Sequence, residues 1–370
     1  MSAAAPPATD TRLARLRSLV AEHQLDAMLV SSIANKRYYS GFRLLADEEA
    51  TWPGTLLVTR DARLILADGR YTEQAEHEAP GWEVLPTTGG IGEDLPPILE
   101  RHGVVSLGME AGVLTHADWT ALAAAAPGVE LHAMDDEIAL LRLIKSDEEI
   151  MAIQRACELT DACFAHLVGF AQPGMSEQQV AWELEAWLRA NGAESLAFLP
   201  IVLAGARAAM PHGQPSDATI ERGNVLLIDF GCAVDGYRSD MTRTMFVGDV
   251  PDHVRRAHDA VREAQAVAIA ALAVGVNGQD VDGVARRVIT DAGFEPYGHG
   301  LGHGIGLDEH EPPSLRRNKP HTLEAGMVFS VEPGIYRPGD TGIRIEDIVV
   351  LQDAGPRLLT NSPRAPITIG

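Results

Sequence analysis

Asp229, Asp240, His303, Glu332 and Glu346 are four carboxylates and one imidazole set in strand-like or glycine-rich stretches, where ionisable side chains are otherwise out of place. Hard divalent cations take oxygen ligands with an occasional imidazole, and carboxylates can bridge two such ions. Two ions about 3.5–4 Å apart make a nucleophile from water at neutral pH. The five residues therefore predict a dinuclear metal centre with hydrolytic chemistry.

The elements around them explain how they could meet. Val225–Cys232 reads as a buried strand and Tyr237–Phe246 as its partner, joined at Asp235-Gly236, a two-residue hairpin turn. If Val234 pairs with Tyr237, Asp240 falls opposite Gly231, two residues from Asp229, and the two carboxylates become diagonal neighbours on one face. Two bare carboxylates this close in apolar surroundings raise one another's pKa, and a divalent cation removes that penalty. The plainer reading, a buried Asp pair tied to backbone donors, leaves charge uncompensated in a medium that penalises it.

Glycine occupies every second position from 298 to 306, so an extended chain there shows one bare face and sets His299, Leu301, His303 and Ile305 on the other. A bare face admits a close backbone or a substrate. One histidine on such a segment is usually packing; two on one face, with His310 following, favour a site. Glu332 ends the apolar run Met327–Val331 before a Pro-Gly turn. Arg344 and Glu346 share a face of a second apolar strand, with Ile343 and Ile345 opposite, so Arg344 reads as the group that orients Glu346. Asp347 faces the other way and is left outside the set.

The rest of the chain reads as α/β. Thr11–His23 has helical periodicity, and Ala27–Ser31, Thr55–Thr59, Arg63–Ala67 and Val104–Met109 read as short buried strands before a helix near Asp118–Ala126. Asp68, Arg70 and Tyr71 read as a strand-end turn rather than a catalytic set. Ser146 with Glu149, and Ser176 with Gln179, have capping-box spacing and open two helices; a third covers about Asp252–Ala273. A boundary at 138/139 separates the two domains. A net charge of −22 speaks against nucleic acid and anionic membranes as partners. Cys157, Cys163 and Cys232 lack metal-finger spacing, and no signal-type apolar segment opens the chain, so a reducing, cytoplasmic setting is expected.

The stretches IVLAGARAAMPHG, VLLIDFGCAVDGYRSDMTRTM, HGLGHGIGLDEHEPP, VFSVEPGIY and GIRIEDIVV resemble the pita-bread metallopeptidases, in particular the Xaa-Pro aminopeptidase and prolidase group. The resemblance implies a creatinase-type α/β domain over 1–138, then an α+β pita-bread domain with pseudo-twofold duplicated halves over 139–370. It implies Asp229, Asp240, His303, Glu332 and Glu346 as ligands of two divalent ions, most often Mn²⁺, with Co²⁺ or Zn²⁺ as alternatives. It implies catalytic roles for His212, His310 and Glu332, with Glu332 moving the proton, and substrate-side positions for His299 and Arg344. Prolidases of this type often carry an arginine four residues after the second active-site histidine; here that position is Ser314. An aminopeptidase releasing the residue before proline is therefore expected first and an Xaa-Pro dipeptidase second, with a non-catalytic binding module as a remoter alternative. Short proline-containing peptides and a homodimer are the expected partners.

Overall fold

The computed structural model describes residues 7–44, 52 and 54–370, and the chain forms two compact units that meet in sequence at Arg142/Leu143. The first unit runs α1 (Pro7–Glu22), β1 (Ala27–Val30), α2 (Ile33–Ser40), β2 (Thr55–Thr59), β3 (Arg63–Ala67), α3 (Thr72–Glu78) and β4 (Glu83–Pro86). It continues with α4 (Ile91–Arg101), β5 (Ser106–Met109), α5 (His116–Ala125), β6 (Glu130–Ala133) and α6 (Asp135–Leu140). Its six strands lie in the order β4-β3-β2-β1-β5-β6, with β1 and β5 parallel and β1 and β2 antiparallel. β1 is buried at every position, as its unbroken apolar run AMLV requires.

Four helices of this unit, α2, α3, α4 and α6, lie outside the expected set, and two of them show why. α4 holds Pro96 and Pro97 in its interior, which argue against a helix, yet Ile91, Leu95 and Leu99 recur at helical spacing and bury against the sheet. α2 starts where the Glu110 carboxylate accepts hydrogen bonds from the Ser31 and Ser32 amides at 2.5 and 2.9 Å and from Asn35 Nδ2 at 2.5 Å. An anion at that end complements the helix dipole, and it comes from a residue far along the chain. Asp68 and Arg70 form the expected turn, the carboxylate accepting from the Arg70 amide at 2.8 Å.

The second unit opens with α7 (Asp147–Phe170) and α8 (Glu177–Ala190), both started by the predicted capping boxes at Ser146 and Ser176. There follow β7 (Ser195–Leu196), β8 (Ile201–Ala204), β9 (Val225–Phe230), β10 (Cys232–Val234), β11 (Tyr237–Arg238) and β12 (Met241–Val247). After α9 (Asp252–Ala270) and α10 (Gly278–Asp291) come β13 (Gly302–Gly304), β14 (Glu311–Leu315), β15 (Val328–Val331) and β16 (Gly334–Arg337). The unit ends with β17 (Thr341–Arg344), β18 (Asp347–Gln352), β19 (Gly355–Leu358) and β20 (Thr368–Ile369).

This unit repeats one plan twice: a helix pair, then antiparallel strands. α7 and α8 cover the sheet β20-β12-β9-β8, while α9 and α10 pack with β14-β13-β15-β18-β19. β9 joins the two cores through its alternation. Val225 and Leu227 belong to the α9–α10 core, and Leu226 and Ile228 to the α7–α8 core. Cys157, Cys163 and Cys232 are buried free thiols. Among the described residues no helix is long and apolar enough to cross a membrane.

Candidate active site

The hairpin forms in the register that its turn dictates. Asp235 and Gly236 have φ of 52° and 80°, Val234 pairs with Tyr237, and Phe230 pairs with Met241. Asp240 therefore sits opposite Gly231, and both aspartates face one side. The glycine segment is tied down by backbone approach: a Cβ on Gly302 would stand 1.9 Å from the Ser330 carbonyl oxygen of β15. That proximity brings His303 beside Glu332. The strand itself is shorter than the glycine pattern suggests, with a bulge at His303/Gly304.

These elements bring Asp240, His303 and Glu346 together, with one ligand atom from each lying within 4.8 Å of the others. His303 Nε2 is 3.6 Å from Asp240 Oδ2 and 3.6 Å from Glu332 Oε1. Its Nδ1 bonds the Gly304 carbonyl at 3.1 Å, so Nδ1 carries the proton and Nε2 presents a lone pair to two carboxylates. Burial, with His310 adding to it, lowers the His303 pKa to about 4, so the ring is neutral near pH 7. A neutral nitrogen facing carboxylate oxygens is repulsive unless a cation or a retained proton lies between them. Three buried oxygens, Asp229 Oδ1, Asp240 Oδ1 and Glu346 Oε1, also lack a hydrogen-bond partner. Burial and the neighbouring carboxylates push Asp240 and Glu346 well above the usual carboxylate range, and burial carries Glu332 to about 8. The donor set fits divalent cations on each of these counts.

Arg344 bonds Asp229 directly and Glu346 through Thr242. Its Nη2 pairs with Asp229 Oδ2, Nε donates to Thr242 Oγ1 at 2.9 Å, and Nη1 donates to the Tyr336 hydroxyl at 2.9 Å. Thr242 Oγ1 in turn donates to Glu346 Oε2 at 2.7 Å, so Arg344 reaches Glu346 through one intervening hydroxyl. Arg344 is buried, and its donors are engaged by protein atoms around the carboxylates. The reason is packing between two sheets: β17 lies against β9, which carries Asp229.

His299 is likewise engaged by protein atoms. Nδ1 bonds the Gly300 carbonyl at 2.7 Å and Nε2 bonds the Tyr336 hydroxyl at 3.0 Å, so its ring forms a wall. Its Nδ1 lies 3.9 Å from Glu332 Oε2, at the edge of the carboxylate cluster. His310 stands with its ring centroid 4.2 Å from that of His303 and 65% of its side chain exposed. His212 is exposed on the segment after Met210. Both histidines are open to an arriving ligand. Asp347 points away, as alternation predicts, into bonds with Arg243, Thr360 and Arg364.

Sequence reasoning passed over Thr242, Ser330 and Tyr336. Ser330 Oγ accepts from the His303 amide at 3.1 Å and donates to Glu332 Oε1 at 3.3 Å. A signal existed for two of them: Thr242 is two residues from Asp240 and Ser330 two from Glu332, so each shares its ligand's face of a strand.

With this geometry in place, comparison places the chain. Residues 151–353 match Metallopeptidase family M24, and residues 12–144 match the Creatinase/Prolidase N-terminal domain. The chain belongs to metallopeptidase family M24. It is 34% identical to the Xaa-Pro dipeptidase of Pyrococcus horikoshii over 344 residues, 93% of this chain and 95% of that one. The solved Xaa-Pro dipeptidase from Bacillus anthracis superposes with a TM-score of 0.91 at 36% identity, covering 98% of this chain and all (100%) of that one. The solved X-Pro aminopeptidase from Thermotoga maritima gives 0.86 at 35% identity, covering 97% and 100%. This protein is thus a metallopeptidase with a creatinase-type N-terminal domain before a pita-bread domain, and the family implies divalent metal ions.

Proposed function

We propose that this M24 metallopeptidase hydrolyses the peptide bond before proline, using two divalent ions held by Asp229, Asp240, His303, Glu332 and Glu346. The observation that carries the reading is the His303 Nε2 lone pair aimed at Asp240 and Glu332 among three unpartnered carboxylate oxygens. When bound, the ions supply a nucleophile from water and polarise the scissile carbonyl. Mn²⁺ is the metal proposed, with Co²⁺ or Zn²⁺ compatible with the same donors.

The chain's own groups then divide the work. Glu332 lies between His303 and His299 and is the proposed carrier of the proton to the leaving imide nitrogen. His310 and His212, both open to the ligand side, are proposed to donate hydrogen bonds to the substrate carbonyl as it gains negative charge. His299, held by Gly300 and Tyr336, is proposed as a wall of the proline-side pocket.

The dipeptidase names of the Pyrococcus and Bacillus anthracis relatives support Xaa-Pro dipeptides as substrates. A second reading, an aminopeptidase for longer peptides, is supported by Ser314. It pairs with His303 across β13 and β14 and has no charge for a dipeptide's carboxylate. The similarity to the Thermotoga X-Pro aminopeptidase supports it as well. A matched Xaa-Pro dipeptide and Xaa-Pro-Yaa tripeptide, assayed with Mn²⁺-loaded protein and an Asp229→Ala control, decide between them. Dipeptide-only cleavage makes the chain a dipeptidase, and tripeptide cleavage makes it an aminopeptidase. Silence on both refutes Xaa-Pro specificity. A homodimer is also proposed, and a monomer by light scattering at micromolar concentration refutes it.

A further inference from the structure

The two glutamates of the site stand where a β-ladder comes apart. β15 and β18 pair from Val328↔Val350 to Val331↔Asp347, and the next rung in that register would set Glu332 opposite Glu346. That rung does not form. Pairing stops at Val331↔Asp347; beyond it the Glu332 amide donates outward to the Leu301 carbonyl at 2.7 Å, and the Glu346 amide to the Thr242 carbonyl at 3.1 Å. The strands part there, one toward the glycine segment and one toward β12. A fork removes the interaction that would hold the diverging ends at a set spacing.

One side chain fills the fork. Gln265 of α9 is fully buried (0% exposed), and its Nε2 donates to the Val331 carbonyl at 3.2 Å and the Ile345 carbonyl at 3.2 Å. Those carbonyls belong to the residues immediately before Glu332 and Glu346. The same nitrogen lies 2.8 Å from Asp347 Oδ2, so its two hydrogens are shared among three acceptors, and Asp347 is anchored by Arg243 Nη2 and Thr360 Oγ1, both at 2.7 Å. The amide of Gln265 thus stands in for the missing rung and ties it to a fixed network.

We infer that Gln265 is a positioning residue that sets the separation of Glu332 and Glu346, and so the metal affinity of the site, by bridging the two strands where they part. The inference rests on the reading of these glutamates as metal ligands. Methionine at this position keeps nearly the same volume and removes both N–H groups. Small displacements of supported ligands cost affinity: loss of an outer hydrogen-bond partner typically weakens metal binding about 10–100-fold.

The test is calorimetric titration of Mn²⁺ into metal-stripped protein, for wild type, Gln265→Met and Val261→Ala. Val261 lies one turn before Gln265 on the same helix in the apolar core, so its truncation lowers stability while leaving the bridging amide in the chain. Gln265→Asn, whose amide stops one methylene short, serves if the methionine variant fails to fold. The expected result is at least about tenfold weaker Mn²⁺ binding in the Gln265 variant and binding within about twofold of wild type in Val261→Ala. Wild-type affinity in the Gln265 variant overturns the inference, and so does equal weakening in Val261→Ala, which would make the effect one of stability alone. Absence of Mn²⁺ binding by wild type itself refutes the metal reading, and this inference with it.

Discussion

Removing one negative charge from the site, by Asp240→Asn, should stabilise the metal-free chain and abolish its stabilisation by metal. Asp240 is buried, its Oδ1 has no partner, and a ligand atom of Glu346 lies within 4.8 Å. At an effective dielectric constant of about 20, two unit charges at that separation repel by about 3 kcal/mol. The wild type relieves part of this by retaining a proton, so the isosteric amide should gain about 1–3 kcal/mol in chelator at pH 7.5. Saturating metal offsets that advantage and, over most of its range, reverses the order. An ion at one hundred times its dissociation constant stabilises wild type by about 2.7 kcal/mol, and the variant, lacking a ligand, should gain little. Urea unfolding of both chains, in chelator and in excess Mn²⁺, gives the four free energies directly. A variant less stable than wild type in chelator, or one gaining as much from Mn²⁺ as wild type does, would refute the electrostatic reasoning.

Three further outcomes follow from groups around the site. Arg344→Met should destabilise the metal-free chain by about 3–5 kcal/mol, because it leaves the buried Asp229 carboxylate without its cation; unchanged urea unfolding would show that the pair contributes nothing. Lys145 Nζ lies 2.6 Å from Glu311 Oε1 with both side chains buried, so Lys145→Met should lower stability by a similar ~3–5 kcal/mol. Adding Glu311→Gln should restore part of that loss, and strict additivity in the double mutant would contradict direct coupling. His258, packed 5.2 Å from Phe246, is pushed down to about 4 by burial. The unfolded chain therefore takes up the proton first, and the neutral ring's contribution is fully present above about pH 6.5 and lost as pH falls toward 4. His258→Leu should flatten the stability profile across that window, and parallel profiles for the two chains would exclude this assignment.

Much of the site is legible in the chain because strand alternation and turn chemistry are local. Asp235-Gly236 sets the hairpin register, and the register sets Asp240 beside Asp229 whatever lies elsewhere. Alternation likewise separates Glu346 from Asp347. The capping boxes at Ser146 and Ser176 start their helices for the same kind of reason. Two of the elements missed take their support from far along the chain. α2 starts on the carboxylate of Glu110, and α4 keeps two prolines because its apolar face has a sheet to bury against.

The sequence by itself therefore determined which residues could hold metal, which carboxylates share a strand face, and the family the chain resembles. Only the tertiary structure decided that Arg344 supports Asp229, that His299 is held by Gly300 and Tyr336, and that Gln265 enters the fork between the glutamates. Periodicity states the side of its own element on which a residue lies. It does not state which neighbour occupies that side, because the neighbour is chosen by the packing of elements far apart in the chain, 115 residues for Arg344 and Asp229.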